Sequence, residues 1–142
     1  MKFGAIVILC GLGLSLTGCG GYGEPSDADI AHGLVASMDG VGGLKKIAEG
    51  TLQSTAPGGW NTIRIDVVSV AKHSCAKAES AEGYICDFTA DIRQSIGDGE
   101  GMVDQYSAAW NTIFSAAGVR GGANRQTGRF YKTGSDWMYA AQ

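Results

Sequence analysis

The sequence predicts an α+β domain: N-terminal helices packed on a small antiparallel sheet of three to four strands, with an inserted helix before a C-terminal hairpin. Three observations carry that expectation. Apolar residues recur at helical spacing around Ile30 to Met38, they alternate with polar ones from Ile63 and from Tyr84, and a last alternating pair of segments follows Gly128. Helices followed by antiparallel strands bury one face of the sheet under the helices.

The elements follow in order. Ser26-Asp27-Ala28-Asp29 has the form of a capping box, with Ile30, Leu34, Val35 and Met38 on one helical stripe behind it. Gly33 costs that helix about 1 kcal/mol relative to alanine, so tertiary packing has to carry it. Asp39-Gly40 ends it, and Leu44, Ile47 and Ala48 suggest a second short helix stopping at Gly50, with a loop over Thr55 to Gly59. Ile63, Ile65 and Val67 form a half-buried strand that runs on toward Cys75. The next strand carries Tyr84, Cys86, Phe88, Ala90 and Ile92 on one face. A turn tip at Ser80-Ala81 sets Glu79 opposite Glu82, Cys75 opposite Cys86 and His73 opposite Phe88. That register brings the two cysteines within bridging distance. From Met102 to Ala117 the apolar residues, including Tyr106, Trp110 and Phe114, fall on one helical face, with a strand as the competing reading. Gly128–Lys132 and Trp137–Tyr139 close the chain as a hairpin turning at Thr133 to Asp136.

The first 18 residues are not part of that domain. Lys2, an apolar run from Phe3 to Leu16 and small residues before Cys19 describe a secretory signal peptide, too short to span a bilayer. Leu16-Thr17-Gly18-Cys19 resembles the lipobox of bacterial lipoproteins. The resemblance implies cleavage before Cys19, lipidation of its sulfur and two or three acyl chains, enough for stable membrane anchoring. It divides the chain into a signal peptide at 1–18, a lipidated tether at 19–25 and one globular domain at 26–142. Gly20 in place of an aspartate tilts the expected address to the outer membrane, facing the periplasm. With Cys10 removed and Cys19 acylated, Cys75 and Cys86 remain, and an oxidising compartment makes a disulfide between them the expectation.

"PSDADI", "AKHSCAKAE", "GYICDFTADI" and "GRFYKTGSDWMY" together resemble a group of small proteobacterial lipoproteins with a Gly-Tyr-x-Cys-Asp strand and a late Gly-Arg-Phe-x-Lys…Trp hairpin. Residues 98–122 depart from that pattern as an insertion. The resemblance implies fold and address, and no reaction.

The chemistry-bearing constellations are weak. Ser74-Cys75-Ala76-Lys77 and Lys132-Thr133-Gly134 match two penicillin-binding-protein motifs, but the first lies in a strand end, no Ser-x-Asn motif stands between them, and the chain is too short for that fold. His73 and His32 are too far apart to begin a metal site, Asp87 and Asp91 read as exposed strand carboxylates, and the acidic run Asp98–Asp104 lacks EF-hand spacing. No metal, cofactor or catalytic set is expected. The formal charge is −3, and −4 once Lys2 is gone, which leaves ten basic against fourteen acidic residues and argues against nucleic acid. The basic residues Arg120, Arg125, Arg129 and Lys132 cluster late. The sequence therefore predicts a non-enzymatic, membrane-anchored envelope lipoprotein that binds an envelope protein or glycan, with Tyr106, Trp110 and Phe114 as the possible partner stripe. The alternative is a periplasmic inhibitor or small-ligand carrier that uses the Thr133–Asp136 loop or a pocket under residues 102–117.

Overall fold

The computed structural model describes residues 22–55, 62–96 and 114–142. One helix, α1 (Asp27–Met38), precedes a meander of six antiparallel strands: β1 (Lys45–Ala48), β2 (Thr51–Thr55), β3 (Thr62–Lys77), β4 (Tyr84–Ile96), β5 (Gly122–Thr133) and β6 (Asp136–Ala141). Each strand pairs with its sequence neighbour, and the sheet curls into a half-barrel. This overturns the expected α+β layering of several helices on three or four strands: the described fold is mostly β, with a single full helix lying in the curl of the sheet.

Helix α1 forms as the sequence says. Ser26 Oγ accepts from the Asp29 N–H at 3.2 Å, and the Ser26 N–H donates to the Asp29 carboxylate at 2.9 Å, so two N-terminal donors are satisfied. Ile30, Leu34, Val35 and Met38 are buried against Leu52, Ile65, Phe88 and Phe130. Gly33, disfavoured in a helix, lets the backbone close on β5: a Cβ there would lie 3.0 Å from the Phe130 ring.

The expected second helix at residues 44–50 is strand β1. Only Leu44 of its apolar set is buried, while Ile47 is 53% exposed, so no core pulls that segment into a helix. Gly50 has a φ of +72°, where a side chain is strained, and turns β1 into β2. Strand β2 was hidden because its inward positions are Leu52, opposite Ile65, and Ser54, opposite Ile63, which give too little apolar alternation. Of the expected helix at 102–117, residues 114–117 are helical and the rest, with Tyr106 and Trp110, lies outside the described residues, as does the acidic run Asp98–Asp104.

Strands β3 and β4 carry the expected pairing at their tip. Cys75 lies opposite Cys86 with Cα atoms 4.0 Å apart, and the two form a disulfide. One step further the register differs from expectation. Lys72, not His73, lies opposite Phe88, because β3 bulges between Lys72 and Ser74. The extra residue reverses the side-chain alternation. Lys72 turns toward the helix side, and His73 points outward to a 2.7 Å hydrogen bond with Thr89. The closing hairpin is β5–β6, with Phe130 opposite Tyr139 and Lys132 opposite Trp137, and β5 begins six residues earlier than expected, at Gly122.

Candidate functional site

The inward faces of β4 and β5 change character along their length. Cys86, Phe88 and Phe130 are apolar and lie under α1, whereas Gln94 and Gln126 occupy inward positions nearer the opposite end. Strand β6 stops at Ala141, opposite Gly128, so the first half of β5, paired with β4 on one side, has no strand on its other side among the described residues. The stretch from Phe114 to Gly121 lies along that notch. Val119 N–H donates to the Phe114 carbonyl at 2.9 Å, and Tyr139 Oη donates to the Gly118 carbonyl at 2.7 Å.

Two cavities open at this corner. One of about 700 Å³ is lined by Ile92, Arg93, Gln94, Phe114, Val119 and Arg120 among others. The other, about 600 Å³, is lined by Ser115, Arg120, Gln126, Thr127 and Tyr139 among others. Their polar groups are unevenly satisfied. Gln126 is 8% exposed, and its Oε1 accepts from the Arg120 N–H at 3.2 Å, but its Nε2 has no acceptor among the described residues. Gln94 Oε1 is likewise buried without a donor. Each orphaned group costs about 1–3 kcal/mol, so a ligand that brings an acceptor to Gln126 and a donor to Gln94 recovers that cost. Burial raises the Tyr139 hydroxyl above its ordinary value of 10.0, so it stays a neutral donor at neutral pH.

The late basic cluster divides here. Arg125 binds Asp87 on the outer face through Nε, at 3.0 Å and 3.1 Å from the two carboxylate oxygens, and through NH2. Hydrogen bonding from Arg125 holds the Asp87 carboxyl below the usual carboxylate range. Arg129 donates to the Glu82 carbonyl and stacks on Tyr131. Lys132 lies over the Trp137 ring. Only Arg120 of the four brings a guanidinium to the corner with no side-chain partner among the described residues.

Of the expected partner stripe, Phe114 is 6% exposed, belongs to the core and lines both cavities, while the positions of Tyr106 and Trp110 are not described. The two histidines are apart: His73 bonds Thr89, and His32 approaches Asp136 at 3.6 Å beside a smaller groove of about 310 Å³. Among the described residues no group of three or more metal-ligating side chains converges. Ser74 sits in strand β3 next to a bridged cysteine, a setting unlike the helix start its motif requires.

Gln94 and Gln126 were not singled out from the sequence. A signal existed: the alternation that puts Phe130 inward, carried backward, puts Gly128 and Gln126 inward too. Fold and corner together define a small, helix-filled, curled-sheet domain with a cleft at one end. Comparison with protein-family models, with curated proteins and with solved structures found no match.

Proposed function

We propose that the protein is a lipid-anchored envelope module, held by Cys19 in the outer membrane and facing the periplasm, which binds an envelope protein or glycan without catalysing a reaction. The observation that carries the binding half is Gln126: a buried amide beside an open cavity, with one end satisfied and the other without a partner among the described residues. The anchoring half rests on the Leu16-Thr17-Gly18-Cys19 sequence. The described residues contain no helix long and apolar enough to cross a membrane. The alternative, a small-ligand carrier, draws on the same cavities, because Phe114 lines both.

The test is crosslinking in intact cells followed by capture of the full-length protein, beside an Arg120→Ala variant. Arg120 is exposed, so its truncation should spare the fold. A stoichiometric envelope component lost in the variant supports the binding module. An extractable small molecule in its place supports the carrier. Capture of neither, or capture indifferent to Arg120, removes the corner as the site.

A further inference from the structure

The segment ahead of α1 is fastened to the sheet from Tyr22 onward. Tyr84 Oη donates to the Tyr22 carbonyl at 2.9 Å, and the Lys132 N–H donates to Tyr22 Oη at 2.9 Å. The Tyr22 ring meets Trp137 edge-on at 4.9 Å. Pro25 is fully buried. Lys72, turned inward by the bulge, reaches the Glu24 carboxylate at 2.7 Å and the Pro25 carbonyl at 3.0 Å, and its own N–H donates to Asp27 at 2.8 Å. The expected tether at 19–25 is therefore bound to the domain over its second half.

We infer that the end of the sheet formed by the β3–β4 turn (residues 78–83) and the β5–β6 turn (residues 134–135) lies directly against the lipid headgroups, with the Gln94 end of the larger cavity held away from the membrane. This rests on the reading of Cys19 as the acylated residue. From Cys19 to Tyr22 is three peptide steps, about 11 Å fully extended. The headgroup layer takes up roughly 5–8 Å of that on its side of the bilayer. Little slack remains. Both turns lie at the end where Tyr22 is clamped, since Lys77 pairs with Tyr84 and Thr133 with Asp136. Their exposed residues Ser80, Ala81, Gly134 and Ser135 are small enough to approach a surface closely. Charge at this end is mixed and slightly acidic, with Lys72, Lys77, Arg129 and Lys132 against Glu24, Asp27, Asp29, Glu79, Glu82 and Asp136, which offers no net attraction to anionic lipid. Apposition then follows from the shortness of the link and not from attraction to anionic lipid. Gln94 lies ten residues along β4 from Tyr84, about 33 Å of strand, so the larger cavity would open well clear of the bilayer. The Thr133–Asp136 loop, an inhibitory element in the alternative reading of the sequence, would be covered.

The experiment uses the full-length acylated protein in phosphatidylcholine vesicles containing a headgroup nitroxide quencher. Ser135→Cys and Ser95→Cys, each exposed, carry the same fluorophore at opposite ends. Quenching at position 135 should exceed that at 95 severalfold, at low and high salt alike. Insertion of about twelve Gly/Ser residues between Gly21 and Tyr22 adds roughly 20 Å of reach and should erase the difference. Equal quenching at the two positions, or a difference that survives the insertion, overturns the orientation while leaving the anchor standing. Failure of the wild-type protein to take up a fatty-acid label, or label persisting in Cys19→Ser, overturns the anchor itself and the orientation with it.

Discussion

A Cβ on Gly128 would sit 2.1 Å from Tyr139 Cε2, and one on Gly33 would sit 3.0 Å from Phe130 Cδ1. Both glycines exist for the ring above them, and they differ in what alanine would give back. At Gly128 the ring has to leave, and with it the hydrogen bond from Tyr139 to Gly118. Overpacking of this kind costs about 1–3 kcal/mol. At Gly33 the helix regains about 1 kcal/mol of propensity, set against crowding of Phe130, which is fully buried between Phe88 and Tyr139. Thermal melts should therefore show Gly128→Ala lowering the midpoint by roughly 4–15 °C and Gly33→Ala lowering it by only a few degrees. A stabilised Gly33→Ala would mean that the Phe130 ring yields more easily than its surroundings imply.

The hairpin of β3 and β4 joins the longest pair of strands, and its tip is closed by Cys75–Cys86. Cross-linking a loop of about 12 residues contributes roughly 2–3 kcal/mol through the unfolded state. Reduction, or the double change to alanine, should lower the unfolding free energy by that amount and the urea midpoint by about 1–2 M, while the far-ultraviolet spectrum at low urea keeps its β signature. Loss of that signature would make the bridge a condition of folding. This hairpin was legible in the sequence because every second residue from Cys86 to Ile92 is buried, so alternation and burial coincide. Helix α1 was legible for the same reason at its own period. Strand β1 was not, since all four of its residues are exposed and its apolar spacing fits a helix equally well. Strand β2 buries Thr51 and Ser54, whose hydroxyls find Asp66 and the Gly42 carbonyl, partners that no local pattern reveals. The bulge at His73 adds one residue to a good alternating run and leaves no compositional mark, yet it decides which side chain reaches the tether. The candidate corner was legible only through Phe114 and Arg120, because its amides are recognised by what they fail to bond.

For the molecule as a whole, acid is the informative stress. Hydrogen bonds from Arg125 lower Asp87, and those from Arg64, aided by Thr51, lower Asp66 against the opposing effect of burial. At Asp29 burial works upward, but the N–H and hydroxyl of Ser26 bring the carboxyl down overall. A carboxyl lower in the folded than in the unfolded state contributes its stability in full above the ordinary value of 3.8 and loses it as the pH falls through the folded value. The melting midpoint should therefore be level from pH 7 to about pH 5 and drop below about pH 4, less steeply in high salt because these pairs are largely exposed. A drop that begins near pH 6 would show that these carboxyls do not set the acid limit.

In the described chain, α1, the first element, packs most extensively on β6, the last. Every strand of the meander can pair with the one just before it as the chain emerges N-terminus first, but the helix has only the smaller surface of β2 and β3 to rest on until its main partner, residues 136–141, is made. The apolar stripe of Ile30, Leu34 and Val35 is thus only partly covered for nearly the whole of synthesis, and the closing step joins segments about a hundred residues apart, the slow kind of contact. A chain ending at Thr133 should keep its hairpins as fluctuating structure, lose its cooperative melt and bind the dye ANS. A sharp transition from that fragment would show that β2 and β3 alone can seat the helix. The consequence is one of timing: whatever recognises the finished domain has nothing complete to engage until this six-residue strand is in place, so the fold closes on its last described element and not before.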